Sequence, residues 1–279
     1  MSGKYNMETL KQENFEIYSF LDNVKRNNAG EIIDKCAEEV PAIQDKGCGG
    51  YKTKKDLTQT LDIFLLDKNK NHNFFMSKNA HPDVFKIIKE TMKLLAPYQK
   101  KKKYIFVFPC FDNFTVEKMN GVGGFCPKKE IIFLFLNLNG KNWQKSLKDT
   151  LIHEFAHSVS EYYLGGENFN LGEGLIFDGL SENFRKMNFG GSDILIDAVS
   201  REDSMNYFKE FKDKLESSDF DFYMEVFYGT GKYPSWLGYS LGYYLVKEYL
   251  ENLKDLDWNY LLRANPKQIA LLVYSKKKY

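Results

Sequence analysis

The string His153-Glu154-Phe155-Ala156-His157 constrains this chain more than any other five residues in it. It lies in a run opened by Trp143, where Leu147, Leu151, Ile152, Phe155, Ala156 and Val159 recur at helical spacing. Four residues advance an α-helix by slightly more than one turn, so both imidazoles leave the same face with Glu154 beside them. Two neutral imidazoles on a buried face are costly without partners. A shared cation resolves that cost, because imidazole nitrogen is a common ligand of divalent zinc and the intervening glutamate then stands beside the ligands without being one. His72 and His81 are the only other histidines among 279 residues. The third protein ligand is therefore expected to be a carboxylate oxygen further along the chain.

Around this helix the patterning predicts an α+β fold. Residues 5 to 98 read as helical, with apolar positions such as Leu57, Leu61, Phe64 and Leu65 at spacings of three and four. Lys100 to Lys103, after Pro97, reads as a solvated connector and sets a boundary near residue 100. Tyr104 to Cys110 and Ile131 to Leu138 read as strands, the second largely buried. Gly165 and Gly166 are expected to stop the histidine helix. Further helices are expected over Leu175 to Met187, stopped by Gly190 and Gly191, and over Asp203 to Leu215, Pro234 to Leu253 and Pro266 to Tyr274. The last has Asn265 as its N-cap and Pro266 at its first position. The resulting organisation is a helical N-terminal region, residues 1–100, followed by residues 101–279 with a small sheet and a mainly helical C-terminal part.

Charge and composition exclude several function classes. Lys+Arg 39 against Asp+Glu 38 leaves a net charge of +1, which provides no field for steering onto nucleic acid or an anionic membrane. With 43% hydrophobic and 16% aromatic residues the chain is globular, not disordered. No run approaches about 18 uninterrupted apolar residues, and the first twenty residues are polar. Neither membrane insertion nor a secretory leader is expected, and a cytoplasmic location is. Cys36, Cys48, Cys110 and Cys126 form no C-x-x-C pair and read as reduced thiols. Gly121 to Gly124 lacks the lysine and hydroxyl context of a phosphate loop.

The helix after the histidines offers three acids: Glu173, Asp178 and Glu182. Asp178 and Glu182 are i, i+4 and share a face. One of that pair would bind the metal, and the other would accept the free N–H of a ligating histidine and fix its tautomer. Near the C-terminus, Gly238-Tyr239-Ser240-Leu241-Gly242-Tyr243 puts two phenols on one helix face a turn apart. A phenol there can donate to a developing oxyanion. The same spacing also suits tyrosines that only pack against the metal helix, with the glycines permitting close approach.

The His-Glu-x-x-His helix followed by an acidic helix resembles the gluzincins, the thermolysin-like clan of zinc peptidases. In order, GVGGF, IIFLFLN, TLIHEFAH, LGEGLIFDGLSENF and PSWLGYSLGYYLVKEYL are similar to the YjaZ-like predicted zinc-dependent proteases, over about residues 104 to 262. The resemblance implies a zincin-like domain holding one catalytic Zn2+ and hydrolysing peptides or unfolded protein segments, with Glu154 as general base. It favours Asp178 as third ligand, with twenty residues between it and His157, leaving Glu182 as the partner of a ligating histidine. Tyr239 and, after it, Tyr243 are the implied oxyanion donors. It further implies an edge strand that pairs with extended substrate, for which Ile131 to Leu138 is the candidate, although its unbroken hydrophobicity equally suits a core strand. This chain reads Asp178-Gly179-Leu180-Ser181 where the family reads acid-Gly-Leu-Ala, usually with glutamate, so the acid at that position is one methylene shorter. The rival function is a regulatory zincin-fold protein of little turnover whose N-terminal region recognises a partner. The retained Glu154 speaks against it, since a structural zinc site needs no base.

Overall fold

A computed structural model describes residues 7–21, 29–43, 54–65, 80–162 and 170–275. They gather into two compact units, the first ending at Ser158 and the second beginning at Val159. His72, Cys48, Gly165 and Gly166 lie outside the described residues.

The first unit contains β1 (Glu8–Lys11), β2 (Phe15–Ser19), α1 (Ala29–Glu39), α2 (Lys54–Leu65), α3 (Ala80–Leu95), β3 (Lys103–Pro109), α4 (Asn113–Lys118), β4 (Val122–Lys128), β5 (Ile131–Leu136) and α5 (Trp143–Val159). Its sheet runs β1-β2-β3-β5-β4, antiparallel at both ends and parallel through β2, β3 and β5. Successive side chains on a strand point to opposite faces, and here the two faces differ in chemistry. Tyr18, Phe20, Phe106, Phe108, Phe133 and Phe135 form an aromatic face that packs with Ile32, Ile33 and Cys36 of α1 and Leu57 and Leu61 of α2. Tyr18 stacks on Phe106 at 5.0 Å, and Phe133 meets Phe108 edge-on at 5.1 Å. The alternate residues Ile17, Ile105, Val107, Ile132, Leu134 and Leu136 are aliphatic and fully buried on the other face. A sheet covered on both sides needs no polar alternation, which is why these strands read as unbroken apolar runs.

Three sequence expectations are corrected in this unit. Residues 8–11 and 15–19 are strands, not helix; segments this short satisfy both periodicities, and pairing decides between them, β2 with β3 and β1 with β2. Lys103 is not solvated connector: it opens β3 at 1% exposure, with its ammonium donating to the Ser158 carbonyl at 2.9 Å. Of the two readings of Ile131–Leu136, the substrate-pairing edge is set aside and the core strand holds: it lies between β3 and β4, with all six residues buried. On that side of the sheet β4 is the outermost strand among the described residues; its glycines conceal its alternation, and Pro127 suits an outer position.

The second unit is helical: α6 (Leu171–Phe189), α7 (Arg201–Phe211), α8 (Phe220–Tyr228), α9 (Leu237–Glu251), α10 (Trp258–Leu261) and α11 (Pro266–Ser275). Asn170 caps α6 by accepting the Glu173 N–H at 2.8 Å, so the helix starts before the glycines that suggest a later beginning. Helices α6 and α9 touch through backbone: a Cβ on Gly242 would overlap the Leu175 carbonyl oxygen, and one on Gly179 would overlap that of Gly242. The buried Asn183 amide clasps the pair, donating to Gly179 O at 2.8 Å and Tyr243 O at 2.9 Å. Helix α8 has no counterpart among the sequence expectations. Asp219 caps it and Gly229, at φ 68°, ends it. No helix among the described residues is long and apolar enough to cross a membrane.

Candidate metal centre

The buried stripe Leu147, Leu151, Ile152 and Phe155 fixes α5 in the first unit. At its C-terminus the Ser158 carbonyl accepts from the Lys103 ammonium and, at 3.3 Å, from the Glu130 N–H. A cation at that end also suits the helix dipole. His153 and Glu154 are buried and His157 half-buried. The two imidazole rings lie 4.6 Å apart at 84°, with their Nε2 atoms facing each other at 2.9 Å. Two nitrogens bound to one tetrahedral zinc stand about 3.3 Å apart, given bonds of about 2.0–2.1 Å. The rings thus converge in the way a shared cation requires.

One ligand atom from each of His153, His157 and Asp178 lies within 4.8 Å of the others, the one such group of three among the described residues. Two imidazole nitrogens and a carboxylate oxygen are a donor set that zinc accepts. The other two acids of α6 fall outside that group. Glu173 sits on the first turn of α6, where burial raises its pKa and Lys267 and Glu216 act on it in opposite directions. Glu182, 1% exposed, has its Oε2 held by Arg185 through Nη2 at 2.5 Å and Nε at 3.1 Å. The Glu-x-x-Arg spacing was the available signal for that pair.

Glu154 lies beneath the edge strand. A Cβ built on Gly124 of β4 would stand 2.6 Å from Glu154 Cγ, 2.8 Å from its Oε1 and 2.5 Å from Thr150 Cγ2. Cys126, two residues on and on the same face, reports the same carboxylate: burial pushes its thiol pKa well up, and the Glu154 charge adds to that.

The two tyrosines of α9 have different surroundings. The Tyr239 hydroxyl is 3.2 Å from that of Tyr228 on α8. Burial raises its phenol well above the usual range, and Tyr228 and the Asp178 carboxylate add to the rise. Tyr223 of α8 is raised by burial and then by the same Asp178 charge. Tyr243, also raised by burial, feels Asp193, Tyr244, Asp197 and Arg185. Tyr223 and Tyr228 escaped the sequence reading because α8 carries aromatics on every side and shows no distinctive spacing. Gly238 lets α9 meet α8, since a Cβ there would lie 2.6 Å from the Phe227 ring.

An α+β chain with this donor cluster has the makings of a zinc enzyme, and comparison with known families gives the class. The profile of the family described as Predicted Zn-dependent protease (DUF2268) matches residues 84–270, and the chain belongs to that family. Neither the curated proteins nor the solved structures contain a match.

Proposed function

We propose that the chain is a zinc-dependent peptidase of gluzincin type, with His153, His157 and Asp178 as metal ligands and Glu154 as general base. The convergence of those two imidazoles and one carboxylate carries the reading. Zinc held there by His153, His157 and Asp178 would supply Lewis acidity, polarising a carbonyl and making water more acidic. Glu154, adjacent to a ligand in sequence and outside the donor cluster, takes the proton of the attacking water and delivers it to the leaving amine. Tyr239, whose phenol stays protonated far above neutral pH, is a donor for the developing oxyanion. Tyr243, with Asp193, Asp197 and Arg185 around it, is assigned no part in the chemistry. An extended peptide adds to the open side of β4, next to Glu154, in place of the internal strand β5.

The test is mass-spectrometric analysis of a diverse peptide library incubated with zinc-loaded protein, beside Glu154→Gln and chelator-treated samples. Cleavage by the zinc-loaded wild type alone, with Glu154→Gln retaining its zinc and losing turnover by at least about 10²-fold, is expected. No cleavage by protein whose metal content is confirmed, or cleavage indifferent to Glu154→Gln, refutes the assignment.

A further inference from the structure

We infer that Gly124 is a positioning residue for the general base: its missing side chain is the seat of the Glu154 carboxylate, on a residue whose N–H and C=O face the peptide strand proposed above. The inference rests on the peptidase reading and adds to it the residue that sets where the base stands.

Two independent observations support it. The first is space. At Gly124 even a methyl group would lie 2.6 Å from Glu154 Cγ and 2.8 Å from Oε1, far inside van der Waals contact. Glu154 is 7% exposed and Thr150 Cγ2 closes the same volume at 2.5 Å, so the glutamate has little room in which to move aside. The second is hydrogen-bond register. Asn137 donates its N–H to Gly121 O at 2.7 Å, and the ladder then pairs Val122 with Leu136, Gly123 with Phe135 and Gly124 with Leu134. Bonded and non-bonded pairs alternate along an antiparallel ladder. Gly123 and Phe125 therefore bond inward to β5, while Gly124 turns its N–H and C=O outward, where the described residues supply no further strand. One residue thus meets the base on its side-chain face and offers main-chain hydrogen bonds along its edge. Glu154 requires the first property and an extended peptide the second. No φ requirement explains the glycine, since Gly124 is not among the residues of positive φ.

The experiment measures Gly124→Ala, Glu154→Asp and the double variant in the full-length chain. It records steady-state kinetics with zinc loaded, zinc content, and the denaturant midpoint of the metal-free protein. Gly124→Ala is expected to keep its zinc and lose about 10²-fold in kcat with KM changed less than about threefold, because the displaced group acts in the transition state. In the Glu154→Asp background, where one methylene has been withdrawn from the crowded volume, adding Gly124→Ala is expected to cost less than about threefold in kcat. Its effect on the metal-free midpoint should also be smaller in that background than in wild type. Should Gly124→Ala alone fail to fold, the same cycle is run with Thr150→Ser, which removes the Cγ2 overlap and leaves that with Glu154. A kcat within about threefold of wild type for Gly124→Ala, or an equal loss in both backgrounds, overturns the inference. If wild type cuts peptides and the midpoints are additive, the Gly124 assignment falls and the peptidase stands. If the midpoints couple but zinc-loaded wild type cuts nothing, the peptidase reading falls, and the base-positioning role with it.

Discussion

Replacing Gly242 by alanine tests how the acid-bearing helix is held. The added methyl overlaps the Leu175 carbonyl oxygen and lies 3.3 Å from the Gly179 nitrogen, both backbone atoms of α6. No rotamer change relieves a clash with backbone, so α6 and α9 must part. Overpacking of a close-packed interior costs about 1–3 kcal/mol, and a backbone obstacle puts this case near 3. Alanine in place of glycine within a helix returns about 1 kcal/mol. The balance is a loss of about 2 kcal/mol, or a melting temperature lower by about 3–4 °C for a chain of this size. The assay is denaturant and thermal unfolding of metal-free protein, which keeps zinc out of the comparison. Gly30→Ala is the internal control: nothing lies within 4 Å of its added methyl, in α1, and it should raise stability by about 0.5 kcal/mol. A Gly242→Ala protein as stable as wild type would refute the backbone-contact argument. Because Gly179 adjoins Asp178, the same variant should bind zinc about tenfold more weakly against a competing chelator.

Two further expectations concern the first unit. Lys103→Met removes the charged donor on Ser158 O while keeping the buried stem, leaving the Glu130 N–H as the other donor to that carbonyl. A charged hydrogen bond contributes about 1.5–3 kcal/mol and desolvation of the ammonium offsets part of it, so a loss of about 1–2 kcal/mol in metal-free unfolding is expected, and a gain would count against the cap. Glu16 gives a pH signature. Burial raises its carboxyl, but hydrogen bonds from Lys102, at 2.5 Å, and from Tyr18 prevail and leave its pKa below 4.5. A depressed folded value adds stability above the unfolded pKa that disappears as pH falls through the folded one. The stability advantage of wild type over Glu16→Gln should therefore hold at neutral pH and shrink below about pH 4.5, and a pH-independent difference would exclude the linkage.

The sequence was most legible where the controlling interactions are local. The histidine helix forms over residues 143–159, because the 3.6-residue period from Leu147 to Val159 with a pair four apart is written within a few turns, but it ends where that apolar period ends and not at the expected glycine stop, since residues 160–162 are already non-helical. Asn265 and Pro266 marked the start of α11 for the same reason, and the Lys267 N–H bonds the Asn265 side chain at 2.9 Å. Strand β2 was illegible because its identity depends on a partner about ninety residues away, Phe15 pairing with Lys103, and β1 in turn depends on β2. Lys103 itself was hidden in a charge run whose other members do face solvent or a surface ion pair. The acids were found as a set from their helical spacing, whereas the preference for Asp178, which falls in the donor cluster, over Glu182, which Arg185 holds, came from the family resemblance and its separation from His157.

The α9 glycines were read from their spacing as permitting close approach, but what they and Gly124 and Gly179 seat was concealed. Three side chains of the proposed site, Glu154, Asp178 and Tyr239, have a nearby glycine whose missing Cβ is occupied by something else. At Gly124 that is the Glu154 carboxylate, at Gly179 the backbone of α9 one residue after Asp178, and at Gly238 the Phe227 ring one residue before Tyr239. A search for chemistry-bearing residues passes over these positions because glycine offers no donor, acceptor or charge. Yet close packing transmits even a methyl-sized change to its neighbours, and each of these neighbours holds an acid or a phenol in place. Sensitivity to Gly→Ala at 124, 179 and 238, against tolerance at Gly30, is therefore the pattern that separates a site built by close approach from glycines that merely loosen the chain.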